Sequence, residues 1–144
     1  MDTRATSFLN DGAIGRGPIT HHRELDVYRL GMELAVEIFQ ETKAWPAEEK
    51  FSLTDQIRRS SRSVTAQLAE GWRKRRYQAA FVSKLNDSEG EAAETQSWLE
   101  HAVHCGYLHR ERGLDLHGRY NHVIGKLVTM QNKPEPWLLQ ARRE

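Results

Sequence analysis

The chain has 144 residues and a net charge of +1, with 38% apolar and 28% charged residues and a single cysteine, Cys105. This length predicts one domain with a core large enough to need no disulfide, and the composition excludes an intrinsically disordered protein. No apolar run reaches the roughly 18 residues of a transmembrane helix, and no export signal precedes residue 22. Together with the lone cysteine, these features lead us to expect a cytoplasmic protein without membrane contact.

The first helix is predicted over residues 24–42, after a flexible leader at 1–21 that has no apolar periodicity. Val27, Leu30, Leu34 and Ile38 recur at helical spacing and form its apolar seam, which Ala35 and Phe39 widen. The Trp45-Pro46 pair ends this segment, because a residue before proline avoids the helical conformation.

The second helix is predicted over residues 53–70, with Leu53, Ile57, Val64 and Leu68 as its seam. Ser52 and Asp55 have the spacing of a capping box at its start. Gly71 follows Glu70 directly and suits the left-handed position just beyond a helix C-terminus. These signals predict a helix bounded at both ends by its own sequence.

The third and fourth helices are predicted over residues 77–105 and 114–130. Apolar and small residues alternate three and four apart in both segments, and Gly106 is expected to end the third helix. Pro134 and Pro136 prevent continuation of the fourth. The seams are Phe81, Leu85, Ser88, Ala92, Thr95, Leu99 and Ala102, then Leu116, Tyr120, Val123, Leu127 and Met130.

Four amphipathic helices with short connections, and no alternating strand pattern, predict an all-α fold. The expected architecture is an antiparallel up-and-down four-helix bundle over residues 22–132. Residues 133–144 form a C-terminal tail, in which Trp137, Leu138 and Leu139 pack either on the bundle or on another subunit.

A basic strip is the first functional candidate. Residues 58–76 hold seven basic residues against one acid, Glu70, on an almost neutral chain. Clustered arginines suit phosphate groups, and Trp72 and Tyr77 flank the basic run as candidates for stacking on unpaired bases. The alternative is a solvated basic face that pairs with acids of the third helix. The candidate nucleic-acid-binding residues are Arg58, Arg62, Arg73, Lys74, Arg75 and Arg76.

A second, polar seam on the second helix is the candidate oligomer interface. Gln56, Arg59, Ser63 and Glu70 lie beside the apolar seam, and charged partners across an interface fix its register. An ion pair within one chain is the alternative. Catalytic, metal and cofactor residues are not assigned. Zinc could use His101, His104 and Cys105 as ligands, but no CxxC, HExxH or repeated Glu-x-x-His pattern accompanies them. A predicted helix C-terminus also disfavours the reactive thiolate form of Cys105.

Residues 56–71, QIRRSSRSVTAQLAEG, resemble the signature of the bacterial four-helix bundle proteins named for the 23S rRNA intervening sequence. Leu25-Asp26-Val27-Tyr28, Trp45-Pro46 and Gly106-Tyr107-Leu108 agree with the flanking motifs, so the resemblance covers residues 24–108. The chain departs from the family at Gln67, where an Asn is usual, and at Thr65, where a Pro is frequent.

The resemblance implies a ring-shaped homopentamer. A related protein with the same fold and ring, the accessory variability determinant of diversity-generating retroelements, works with a reverse transcriptase and is strongly basic. This chain has a much more even balance of charge, so the resemblance implies a role with a reverse transcriptase less strongly than it implies the ring.

We therefore expect a non-enzymatic, homo-oligomeric bundle whose partners are other copies of itself and RNA or a nucleic-acid-processing protein. A protein-interaction scaffold without nucleic acid is the first alternative, and a metal-dependent enzyme is the second. The sequence identifies neither the biological role nor the partner.

Overall fold

Four α-helices account for most of the computed structural model, which describes residues 18–139. They are α1 (Asp26–Thr42), α2 (Leu53–Arg73), α3 (Gln78–His104) and α4 (Arg110–Asn132), and three short 3-10 segments lie at His22–Glu24, Ala47–Glu49 and Glu135–Trp137. No strand occurs in the described part, so the predicted all-α class is confirmed. Residues 1–17 of the predicted leader and residues 140–144 of the predicted tail lie outside the described residues.

Each helix packs against the next one in the chain, and α1 also contacts α4. The connections are short, at residues 43–52, 74–77 and 105–109, so consecutive helices run in opposite directions and close a four-helix bundle. Within residues 18–139, every helix is too short or too polar to cross a membrane.

The predicted apolar seams form the core of this bundle. All the seam positions predicted for α3 and α4 are buried, and so are those of α2. In α1, Val27, Leu34 and Ile38 are buried, whereas Leu30 is half-buried at the edge of the core. The sequence periodicity therefore assigned the inward faces correctly.

The middle of the contact between α2 and α3 is built from small and hydroxylated side chains. Ser60, Ser88, Ala92 and Thr95 are each 0% exposed there. The Ser60 and Thr95 hydroxyls hydrogen-bond to each other at 2.8 Å, and Thr95 Oγ1 lies 2.8 Å from the Glu91 carbonyl. Ser88 Oγ donates to the Val64 carbonyl of α2 at 2.7 Å. Because the hydroxyls of Ser60, Ser88 and Thr95 each have a partner, the two helices approach closely here without leaving these groups unsatisfied.

The residues predicted to cap the two ends of α2 do not cap it, although the helix begins at Leu53 as predicted. Ser52 precedes the helix, but its hydroxyl bonds to Glu49 Oε1 at 2.6 Å and caps no backbone N–H. Gly71 lies inside the helix, which continues to Arg73. A Cβ at Gly71 would lie 3.0 Å from the Cβ of Lys84, so this glycine permits close contact with α3. Tertiary packing extends α2 past the point where the sequence indicates a stop.

The predicted stop at Gly106 is confirmed. Gly106 has a φ of +76°, the left-handed conformation that glycine adopts without steric cost. Helix α4 starts earlier than predicted, at Arg110, and its first turn includes the buried Gly113. After α4, Trp137 and Leu138 pack against the core, so the tail residues up to Leu139 return to their own bundle.

Charged side chains fasten α1 to α4. Arg112 donates to Glu41 Oε1 at 2.7 Å and to Glu37 Oε1 at 3.0 Å, and Arg119 pairs with the same Glu37 carboxylate. The Arg119 hydrogen bond, followed by that of Arg112, lowers the pKa of Glu37. These ion pairs position α1 and leave the arginines of α2 uninvolved.

Ala92 is 0% exposed on the buried face of α3, so a larger side chain there would have to displace its neighbours. We expect Ala92→Leu to lower the free energy of unfolding by about 1–3 kcal/mol or more, because overpacking displaces the neighbouring backbone. Ala93→Leu, on the exposed side of the same turn, is the control and should change it by about 0.5 kcal/mol or less. Urea denaturation measures both. Equal effects of the two substitutions would contradict the packing described for α2 and α3.

Candidate nucleic-acid interface

The six candidate nucleic-acid-binding residues fall into two groups along α2. Arg58 and Arg62 lie in the helix, Arg73 is its last residue, and Lys74, Arg75 and Arg76 belong to the connection to α3. Arg62 and Arg73 are separated by about three helical turns, so they share a face at an axial distance of roughly 16 Å. Arg58, Arg62 and Arg73 therefore lie along one side of α2, with no basic residue between Arg62 and Arg73.

The first group surrounds the ring of Phe39 on α1. Three cations lie near its centroid, namely Lys43 Nζ at 4.8 Å, Arg58 Cζ at 4.9 Å and Arg62 Cζ at 5.8 Å. The attraction between a cation and an aromatic face holds these side chains without neutralising them. Arg58 Nε also donates to Thr42 Oγ1 at 2.8 Å, which fixes the guanidinium beside the end of α1.

Lys43 belongs to this group but was missed by the sequence analysis. It follows the last residue of α1 and lies near the arginines only because α1 packs on α2. Its spacing of four residues from Phe39 was the one local signal. The tertiary fold thus places one further cation beside the predicted arginines of this group.

The second group contains one residue with a structural role. Arg75 Nε donates to the Trp72 carbonyl at 2.7 Å, and its Cζ lies 3.5 Å from the Trp72 ring centroid. Arg75 Nη1 also reaches the Trp137 carbonyl at 3.3 Å, and the Leu139 N–H donates to the Arg75 carbonyl at 3.2 Å. Burial, followed by the nearby charge of Arg73, lowers the pKa of Arg75. Arg75 therefore holds the C-terminal residues against the end of α2.

The predicted stacking role of Trp72 is wrong, because its side chain is only 4% exposed and its ring lies under Arg75. Tyr77 is 67% exposed and remains accessible. Arg73, Lys74 and Arg76 are also exposed. The accessible part of this second group therefore consists of three cations and one aromatic ring.

The acidic residues of α3 pair with other partners. Glu91 lies 3.4 Å from Arg59, and Glu94 forms an ion pair with the same guanidinium. Burial raises the pKa of Glu91, and the charge of Glu94 adds to this while Arg59 opposes it. Glu70 accepts from Lys84 at 2.7 Å, and this hydrogen bond lowers the pKa of Glu70. The α3 edge of α2 is thus internally neutralised, unlike the α1 edge.

Two of the four candidate oligomer-interface residues, Arg59 and Glu70, lie on that neutralised edge. Arg59 and Glu70 are exposed but paired with α3, whereas Gln56 and Ser63 are half-buried. The alternative of an ion pair within one chain is therefore realised for both charged members. Exposed ion pairs can still meet a second subunit, so these four residues remain a prediction.

The histidines near the end of α3 lie on the surface. His101, His104, His109 and Cys105 are exposed. Across residues 18–139, no three potential ligands from His, Cys, Asp and Glu come together at one place. The described geometry thus gives no support to the metal-dependent alternative.

Arg75 provides a test of the tail contact. We expect Arg75→Ala to lower the free energy of unfolding by about 1–2 kcal/mol, because it removes charged hydrogen bonds to two carbonyls and the contact with Trp72. Chymotrypsin should also cleave faster after Trp137. Arg76→Ala, at an exposed neighbour, is the control and should change neither quantity. Unchanged urea stability and cleavage in Arg75→Ala would show that the tail contact contributes nothing.

Comparison with known proteins agrees with this architecture. The family model of the 23S rRNA-intervening sequence protein matches residues 23–129. A crystal structure of a protein with unknown function from the S23 ribosomal protein family of Bacteroides thetaiotaomicron VPI-5482 is similar, with a TM-score of 0.67 and 30% identity. The similarity covers 74% of this chain and 99% of that one. No protein of curated function shows significant sequence similarity to the chain. The chain belongs to the family of 23S rRNA-intervening sequence proteins.

Proposed function

We propose that this protein is a non-enzymatic, self-assembling helical bundle that binds RNA phosphates through the basic strip. The strip consists of Arg58, Arg62, Arg73, Lys74 and Arg76, and it excludes Arg75 because that residue holds the tail. One observation carries the proposal. Among residues 18–139, no carboxylate lies within ion-pair distance of these five cations, although acids of α3 are close enough to pair with Arg59 and Lys84.

Cations that have no carboxylate partner among the described residues are suited to a polyanion. A phosphate that binds them releases condensed counterions, and this release is the main source of affinity in sequence-independent binding. Arginine adds a forked donor geometry that matches phosphate oxygens. Lys74 is less available than the arginines, because its charge already interacts with Glu70 and, after Lys84, contributes to lowering the pKa of that carboxyl. The four arginines therefore supply most of the expected contacts.

Self-assembly would multiply this weak surface. Several copies of a short basic strip on one particle raise avidity without any new contact, provided that one RNA can reach more than one copy. The polar edge formed by Gln56, Arg59, Ser63 and Glu70 is the proposed subunit contact, and the proposed assembly is a ring-shaped homopentamer in the cytoplasm. Its location on the α3 side of α2 leaves the α1 side accessible for RNA.

A protein-interaction scaffold is the second candidate function. Val36 on α1 and Leu114 on α4 are 48% and 60% exposed, which is high for large aliphatic side chains. Such residues favour contact with another protein where they form part of a larger patch. RNA binding separates the two functions, because a scaffold of this kind needs no salt-dependent affinity for a polyanion.

Assembly is tested by multi-angle light scattering. We expect the purified chain to have the mass of a homopentamer at micromolar concentration, and Arg59→Ala to reduce that mass by stranding Glu91 and Glu94 at the contact. Arg110→Ala, an exposed arginine on α4, is the matched control and should leave the mass unchanged. A stable monomer, or a variant mass that does not change, would contradict the proposed interface.

RNA binding is tested by the salt dependence of affinity. We expect the triple variant Arg73→Ser, Lys74→Ser and Arg76→Ser to bind more weakly, with a log–log salt slope shallower by about 2, since each phosphate contact contributes roughly 0.7–0.9. Filter binding between low and physiological salt measures this slope. The control triple Arg110→Ser, Lys126→Ser and Lys133→Ser removes the same charge from exposed positions elsewhere. Equal losses in both triples, or no binding of the unmodified protein at low salt, would contradict the proposal.

A further inference from the structure

Phe51 is the most exposed large apolar side chain in the described part of the chain, at 86%. It lies two residues before the start of α2, and the Nζ of Lys50 is 5.4 Å from its ring centroid. A phenylalanine that contributes so little to the core is available to a ligand. Its neighbours indicate which kind of ligand.

Phe51 lies at the edge of a shallow groove of about 580 Å³ on the outer side of α2. The basic residues that line it are Lys50, Arg58, Arg59 and Arg62, and Asp55 is the one acid among its described lining residues. Arg59, which pairs with Glu91 and Glu94, and Ser63 also belong to the proposed subunit contact. The charged residues left for a ligand are therefore Lys50, Arg58 and Arg62 against Asp55. We call this the Phe51 groove, and its volume is that of a site for one small ligand.

The combination of an exposed ring and unpaired arginines is chemically selective. An aromatic face stacks on a nucleobase, while guanidinium groups bind the phosphates beside it. A base inside a duplex is already stacked on its neighbours and cannot reach a side chain on a helix surface, whereas an unpaired base can be splayed out. The groove thus favours a nucleic acid strand that is not paired.

We infer that the Phe51 groove binds an unpaired nucleotide of single-stranded RNA, with the base on Phe51 and the adjacent phosphates on Arg58 and Arg62. This inference rests on the proposed RNA binding and specifies its substrate class. Tyr77, 67% exposed beside Arg76, gives the other group of the strip an aromatic ring of its own. Both ends of α2 then combine cations with a stacking surface, which is the arrangement typical of single-strand binders.

An apolar peptide is the competing occupant of the groove. It would leave Arg58 and Arg62 facing its apolar atoms, and covering an unpaired charge without a partner costs free energy. A polyanion neutralises the same charges. The charge of the groove therefore favours RNA over a protein segment.

The test compares an end-labelled single-stranded RNA of roughly ten nucleotides with a duplex of the same sequence, by fluorescence anisotropy on the full chain. We expect the single strand to bind more tightly. Phe51→Ala should weaken single-strand binding roughly 5- to 100-fold, the effect of losing one base–aromatic stack, without altering the salt slope. Phe51→Trp should retain the affinity, and Leu114→Ala is the control for loss of an exposed apolar side chain.

Arg58→Ser with Arg62→Ser should instead flatten the salt slope, because these residues contact phosphates. If strand and duplex bind equally well and Phe51→Ala leaves the affinity unchanged, the inference about the Phe51 groove is wrong, while RNA binding by the strip is unaffected. If the unmodified protein binds no RNA, both the proposed function and this inference are wrong. A lower oligomer mass of Phe51→Ala in light scattering would identify Phe51 as a subunit contact and also overturn the inference.

Discussion

The close contact between α2 and α3 is the constraint on which the rest of the structure depends. Small and hydroxylated residues at its centre let the helices approach, and each buried hydroxyl finds a partner in Ser60, Thr95 or a backbone carbonyl. Gly71 continues that contact to the end of α2 and brings it beside Lys84. Because the contact extends along the helix, it fixes which residues of α2 lie on its outer surface.

This packing gives α2 two edges with different electrostatics. On the edge next to α3, acids neutralise Arg59, and Lys84 pairs with Glu70. On the edge next to α1, the nearest partners of Arg58 and Arg62 are the Phe39 ring and the Thr42 hydroxyl, which carry no charge. The nearly neutral total charge of the chain conceals this separation. One edge is therefore suited to contact between subunits, and the other to binding an anion.

Periodicity predicted the fold well, because burial in a helical bundle depends on spacing that is local in sequence. Thus the seven seam positions predicted for α3, the first at Phe81 and the last at Ala102, are all buried. The end of α2 was not predictable, since Gly71 serves a contact with a helix that follows it and local rules assign glycine to a stop. Six candidate binding residues were chosen from charge and helical spacing within one segment, so Arg75 was included although it contacts Trp137, and Lys43 was missed. Exposure decides which aromatic residues can stack, and a sequence does not report exposure for Trp72 or Phe51.

The central claim is that the arginines on the α1 edge and at the end of α2, which have no carboxylate partner among residues 18–139, contact RNA. Modification by phenylglyoxal, an arginine-specific reagent, followed by mass spectrometry with and without single-stranded RNA, tests it residue by residue. The account predicts that RNA protects Arg58, Arg62, Arg73 and Arg76 while Arg110, exposed on α4, reacts equally in both samples. Uniform protection of all exposed arginines, or protection of none, would contradict it.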